Sequence, residues 1–106
     1  MREIKFRQRV NGRFHYWGFM DGGFIGPINP FDPSQQFTGL LDRNRKEVWE
    51  GNILRGKDDR RALIIWDTGS FRMAEGPDVW EVNGHIQYWE VIGNIYEHPE
   101  LLEPAK

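Results

Sequence analysis

Asp67 stands in Ile64-Ile65-Trp66-Asp67-Thr68-Gly69-Ser70, an aspartate entering a glycine turn behind a hydrophobic run. Set against a second copy of itself, such a carboxyl could share one proton across a symmetry axis, the arrangement that activates water for peptide hydrolysis. The same residues also make ordinary hairpin chemistry, because Asp bonds local backbone and Gly accepts positive φ. Other reactive side chains are sparse. His15, His85 and His98 lack the i,i+4 or paired spacing of metal ligands. Ser34 and Ser70 sit in no nucleophile-elbow context. Gly22-Gly23-Phe24-Ile25-Gly26 is followed by neither a lysine nor a helix, which excludes a phosphate loop. No nucleophile, base and oxyanion site assemble, so the residues read as a non-catalytic protein without metal or cofactor.

The Asp67 stretch resembles the active-site element of the aspartic proteases, and Val91-Ile92-Gly93-Asn94 resembles their downstream hydrophobic-hydrophobic-Gly element. The small retroviral-type members of that family are all-β homodimers. Two departures weigh against it. Bulky Trp66 stands where that family keeps a smaller aliphatic residue. Gly69 and Gly93 also lie too close in sequence for the flap and strands that belong between them.

The elements that must position these residues read as strands. Glu3 to Val10 alternates, with Ile4, Phe6 and Gln8 on one face. Asn11-Gly12 then predicts a type I′ hairpin and Arg13 to Phe19 the return strand. His15 to Phe24 also accommodates a helical reading. Asp21 to Gln36, rich in Gly and Pro, reads as one long loop of the kind that is often functional. Polar turns follow at Asp42-Arg43-Asn44-Arg45, Glu50-Gly51-Asn52 and Lys57-Asp58-Asp59-Arg60, and Ala62 to Trp66 is a buried strand. Asn83-Gly84 predicts a second type I′ turn ahead of a long run from His85 to Tyr96, and Pro99-Glu100-Leu101-Leu102 fits one helical turn. Trp-Glu recurs three times without a fixed period, which excludes a repeat architecture. The expectation is a small all-β twisted barrel or sandwich of about six to eight short strands. It forms a single domain over residues 1–106 and closes with one C-terminal helical turn.

Composition narrows the class. A chain of 106 residues has room for one core, and such small cores often lean on a partner copy. Five tryptophans, three tyrosines and seven phenylalanines can carry most of that core. The absence of cysteine excludes disulfides and thiolate metal sites. The N-terminal residues contain no apolar signal segment, and no apolar run approaches the ~20 residues that span a bilayer. The reading therefore places the protein in the cytosol, away from membranes. A net charge of −2 lacks the basic excess of generic nucleic-acid binders. A local exception is the N-terminus, where Arg2, Lys5, Arg7, Arg9 and Arg13 face only Glu3. These cations could protect a solvated edge strand or hold an anionic ligand.

Gln36-Phe37-Thr38-Gly39-Leu40-Leu41-Asp42-Arg43-Asn44, continued by Lys46-Glu47-Val48-Trp49-Glu50-Gly51-Asn52-Ile53, resembles the signature of the YopX-like proteins of phages and prophages. The opening residues 1–7 and the ending residues 91–102 fit as well, so the resemblance covers about a third of the chain, in family order. Two positions depart from it: Asn44-Arg45 replaces the usual Asn-Gly, and Asn52 replaces an Asp. The first implies a differently shaped loop. The second keeps a turn acceptor but loses a charge.

The resemblance implies an all-β, barrel-like, self-associating protein, and a possible role in sequestering nucleotide immune signals of the host. A protein-interaction module acting on a host or phage protein is the alternative. A sponge needs aromatic faces for a base and arginines for phosphates. Arg7, Arg9, Arg13, Tyr16, Trp17, Gln36 and Thr38 are the residues expected to contact such a nucleotide-like ligand, with the 21–36 loop as a lid or subunit clasp.

Overall fold

The computed structural model describes residues 4–20, 22–29, 33–82 and 84–102, the Met20 side chain excepted. Its ten strands form two antiparallel five-stranded sheets, a sandwich-like all-β fold. In the first sheet β1 (Ile4–Val10), β2 (Arg13–Met20), β3 (Gly23–Ile25), β4 (Ser34–Leu41) and β5 (Glu47–Trp49) lie in the order β3-β2-β1-β4-β5. In the second, β6 (Asn52–Arg55), β7 (Arg61–Asp67), β8 (Ser70–Glu75), β9 (Asp78–Glu81) and β10 (Glu90–Asn94) lie in the order β10-β6-β7-β8-β9. Single 3-10 turns occupy Lys57–Asp59, Ile86–Tyr88 and Pro99–Leu102.

Local chemistry explains the connections. Asn11 and Gly12 both have positive φ, 50° and 79°, as a type I′ turn requires, and they set the register Val10↔Arg13. Thr68 and Gly69, at 52° and 82°, do the same between β7 and β8. Asp67-Thr68-Gly69-Ser70 is thus a tight hairpin.

Strand alternation then builds the core. Leu54 pairs with Ala62, and Ile64 with Met73, so one face of β6–β8 is aliphatic. Val48, Val82, Ile86 and Trp89 close over it.

Three sequence expectations change. The 21–36 stretch is not one loop: it contains β3, and β4 begins at Ser34. The run from His85 to Tyr96 is divided into a 3-10 turn and β10. The return strand expected over Arg13 to Phe19 is present as β2, so the helical reading of His15 to Phe24 falls away. Ten strands replace the expected six to eight because segments of only three residues, β3 and β5, find partners. Asn83 of the second expected Asn-Gly turn lies outside the described residues, as do Asp21 and residues 30–32.

The β4–β5 connection is tied by a buried carboxylate. Asp42 Oδ1 accepts the Asn44 and Lys46 N–H groups, both at 2.8 Å, and Oδ2 accepts the Val91 N–H of β10 at 2.8 Å. Arg45 takes φ 64° within this loop. One side chain therefore shapes a turn of the first sheet and pins it to the second. Asp42→Ala should destabilise the fold by about 3 kcal/mol, since three charge-assisted bonds are lost and the part-buried N–H groups lose their acceptor. Asp42→Asn should cost less but remain destabilising, because an amide NH2 then faces an N–H donor. Urea unfolding of the three proteins measures both.

Candidate functional site

Period-two alternation sorts the N-terminal hairpin into two unlike faces. Arg7 pairs with Tyr16 and Arg9 with Phe14, so cations and aromatics share one face. Across β4, Gln35 lies opposite Arg7. The Arg7 guanidinium sits 4.1 Å from the Phe14 ring centroid and 4.5 Å from that of Trp49. Its Nε donates to Gln35 Oε1 at 2.6 Å. Among the described residues no carboxylate lies within ion-pair distance of Arg7. Burial lowers its pKa, with Tyr16, Glu47 and Glu97 acting in the opposite direction, and the guanidinium stays charged at neutral pH. Arg9 leans on Phe14 at 4.8 Å and pairs with Glu97 at 2.7 Å.

The opposite wall comes from the chain after β10. Asn94 Oδ1 accepts the Tyr96 and Glu97 N–H groups at 3.0 and 2.8 Å, an Asx turn that folds both residues back. Ile95 N–H donates to the Gly51 carbonyl at 2.8 Å, fixing this wall to the junction between sheets. The result is a cleft of about 310 Å³ whose lining includes Arg7, Arg9, Phe14, Gln35, Asn94, Tyr96 and Glu97. Partial burial raises the Tyr96 phenol pKa, and Glu50 adds to the shift. The phenol therefore enters the cleft as a neutral hydroxyl. A partly buried cation on an aromatic bed, beside amide and phenol groups, is chemistry for an anion with a planar part.

Of the residues expected from the sequence, Arg7 and Arg9 line this cleft, and Tyr16 stands beside Arg7 as its cross-strand partner, 5.6 Å from Trp49. The others go elsewhere. Trp17 points to the other face, stacked on Phe6 at 4.4 Å and donating to Ser34 Oγ at 3.0 Å. Gln36 shares that face through its pairing with Phe6. Arg13 is exposed beside the β1–β2 turn. Thr38 is buried and structural: its hydroxyl donates to the Val48 carbonyl at 2.7 Å and accepts the Leu40 N–H, bridging a bulge between β4 and β5. Sequence reasoning missed Gln35, Asn94, Tyr96 and Glu97. The Asn94–Glu97 spacing marks an Asx turn, but its contact with β1 is invisible without the fold.

The family model for the YopX protein matches residues 8–103. The chain belongs to the YopX family. Protein EF1440 from Enterococcus faecalis, solved as a crystal structure, is similar to this YopX chain in fold. The TM-score is 0.52 and the identity 27%, over 95% of this chain and 76% of that one. No curated protein matches. Within the YopX chain, the signature-like residues build the junction between the sheets. Thr38 and Gly39 form the bulge, Asp42 the clamp, and Asn52 Oδ1 accepts the Trp49 N–H at 2.7 Å. Asn52 thus keeps the acceptor role expected of it.

A second, more open groove of about 470 Å³ lies at the far end of the other sheet, lined by Lys57, Arg60, Glu75, Asp78, Trp80 and Tyr88, among others. Arg60 Nε and Nη2 hold both oxygens of Glu75 at 2.8 and 2.6 Å, and its guanidinium faces Trp89 at 5.2 Å. The four charges balance. Among the described residues, no cluster of three His, Cys, Asp or Glu could hold a metal ion, and no helix is long and apolar enough to cross a membrane.

The hydrogen bonds from Arg60 lower the Glu75 pKa. That interaction favours the folded state above the unfolded carboxylate's pKa and is lost as pH falls through the folded value. In Arg60→Gln the Glu75 titration, followed by carboxyl carbon NMR, should move up toward the ordinary glutamate range.

Proposed function

We propose that this YopX-family chain is a non-catalytic binder that sequesters a small nucleotide-like anion in the Arg7–Tyr96 cleft. The observation that carries this reading is Arg7: a partly buried guanidinium between two aromatic rings, with only a neutral amide, Gln35, on its Nε. Such a cation has hydrogen-bond donors left for phosphate oxygens, and Tyr96, 57% exposed, offers an aromatic face for a base. A volume near 310 Å³ is at the small end of ligand pockets and suits one nucleotide unit. Asp67, whose surroundings resemble a catalytic element, is exposed at a type I′ hairpin and is not part of this lining. The reading places the protein in the cytosol of a phage- or prophage-bearing host, where it withdraws an immune signal from circulation. The alternative, docking on another protein, would draw on the opposite face of the same hairpin.

Incubation with a panel of mononucleotides and cyclic di- and oligonucleotides, followed by heat release and mass spectrometry, tests this. Release of an intact nucleotide is the expected result. Arg7→Gln should weaken binding by about tenfold to a hundredfold, the equivalent of one charge-assisted bond, with an unchanged circular dichroism spectrum. Release of a chemically altered nucleotide would mean an enzyme, and no binding by any member of the panel would end the proposal.

A further inference from the structure

Charge on the cleft side of β1 is balanced except at one point. Three cations lie there, Lys5, Arg7 and Arg9. Lys5 pairs with Glu47 at 2.8 Å and Arg9 with Glu97 at 2.7 Å. Arg7 meets the amide of Gln35 instead, so among the described residues this strand face carries one positive charge without a carboxylate on it. The facing wall adds no cation, since residues 95–102 contain neither lysine nor arginine. The described residues form no helix beyond single 3-10 turns, so no helix N-terminus contributes a partial positive charge either.

Glu97 is fixed in the lining rather than hung at its mouth. Its Oε2 accepts from Arg9 Nη2, and its Oε1 accepts the Asn94 side-chain amide at 3.2 Å. Its own N–H donates to Asn94 Oδ1 at 2.8 Å. Both carboxylate oxygens and the backbone are thus tied. The charge also reaches Arg7: burial lowers the Arg7 pKa, and Glu97 is among the groups that oppose the fall. Arg7 and Arg9 rest on the same ring, Phe14, at 4.1 and 4.8 Å, which keeps the unpaired cation and the ion pair in one site.

Resting on the reading of this cleft as a nucleotide site, we propose that it selects a small phosphodiester over a terminal phosphomonoester, with Glu97 as the residue that sets the limit. A diester carries one negative charge, which the surplus on Arg7 neutralises. A monoester carries about −1.5 to −2 at neutral pH. Its second charge finds no unpaired cation, gives up part of its hydration and faces a fixed carboxylate. The monoester escapes this only by taking up a proton. With a second pKa of about 6, that costs roughly thirtyfold in affinity at about pH 7.5, which is the upper bound on the preference. A site for terminal phosphates calls for the reverse composition, several cations free of carboxylates.

Calorimetry at low ionic strength, with the ribonucleoside 5′-monophosphates and their methyl phosphodiesters, tests the proposal, because each pair differs by one methyl group and one charge. The diesters should bind about tenfold to thirtyfold more tightly. In Glu97→Gln the amide oxygen still accepts a hydrogen bond, so circular dichroism and the thermal midpoint should stay near native, while the preference falls to about threefold or less. Glu97→Asp keeps the charge and should keep most of the preference. A single-stranded decanucleotide, the same diester within a polyanion, should bind no more tightly per diester than the methyl esters. Tighter binding of the decanucleotide with a steep salt dependence would assign the cleft to nucleic acid and overturn the proposal. Monoesters that bind as tightly as their diesters, or a preference that Glu97→Gln leaves intact, would overturn it while leaving the cleft a nucleotide site. No binding by any of these compounds would end both readings.

Discussion

Everything distinctive in this molecule passes through Gly51. There the chain leaves the first sheet and enters the second, and there is no room for a side chain. A Cβ at this position would lie 2.7 Å from the Tyr96 ring and 3.2 Å from Gln35 Nε2, and φ is +87°. Gly51 N–H donates to the Ile64 carbonyl, its carbonyl accepts from Ile95, and Glu50 N–H donates to the Gln36 carbonyl. A single residue without a side chain thus joins β7 to the segment after β10, and its neighbour Glu50 ties the same junction to β4. The two residues that crowd it, Gln35 and Tyr96, are walls of the cleft. Sheet packing and site geometry are in this way one constraint.

The second principle is the division of the N-terminal hairpin. Its odd-numbered β1 positions carry Lys5, Arg7 and Arg9, and its even-numbered ones carry Ile4, Phe6 and Gln8. On one face the cations find rings: Lys5 lies 4.7 Å from Phe37 and bonds Glu47 at 2.8 Å, while Arg7 lies between Phe14 and Trp49. Stacking of this kind lets a charged group be partly desolvated without a carboxylate. On the other face aromatics meet aromatics, with Phe6 flat on Trp17 at an interplanar angle of 17°. Gly18 holds the strands together there, since any Cβ at its φ of +123° would strike the Ile4 carbonyl oxygen. One hairpin can therefore serve two surfaces of opposite chemistry.

The Asp42 clamp and the Arg55–Glu90–Arg43 cluster complete the frame. Glu90 bonds Arg55 at 2.9 Å and pairs with Arg43 at 3.2 Å, and hydrogen bonding from Arg55 lowers its pKa. These exposed pairs add little stability by themselves. The buried carboxylate of Asp42 does more, because it accepts three charge-assisted N–H bonds at one point and links the two sheets through them.

Local rules made much of this legible from the residues alone. Alternation in Ile4–Val10, the Asn11-Gly12 turn, the tight Asp67-Thr68-Gly69-Ser70 hairpin and the helical turn at Pro99 depend on neighbours in sequence, so their chemistry is readable there. Arg7 and Arg9 were legible as candidates for the same reason, and so was the family, whose signature follows the junction. What the sequence could not convey depends on partners far along the chain. The three-residue strands β3 and β5 exist only because β2 and β4 pair with them, against the glycine-rich composition around β3. Trp17 and Tyr16 are equivalent aromatics in the sequence, but period-two alternation, anchored by burial of Gln8 and Gln35, sends them to opposite faces. Asn94 and Tyr96 reach Arg7 only across a fold that brings residues nearly ninety positions apart into one cleft. The sequence by itself determined the strands, the tight turns and the inventory of cations and rings. Tertiary structure decided which of them meet, because side chains distant in sequence become neighbours only when the sheets pack.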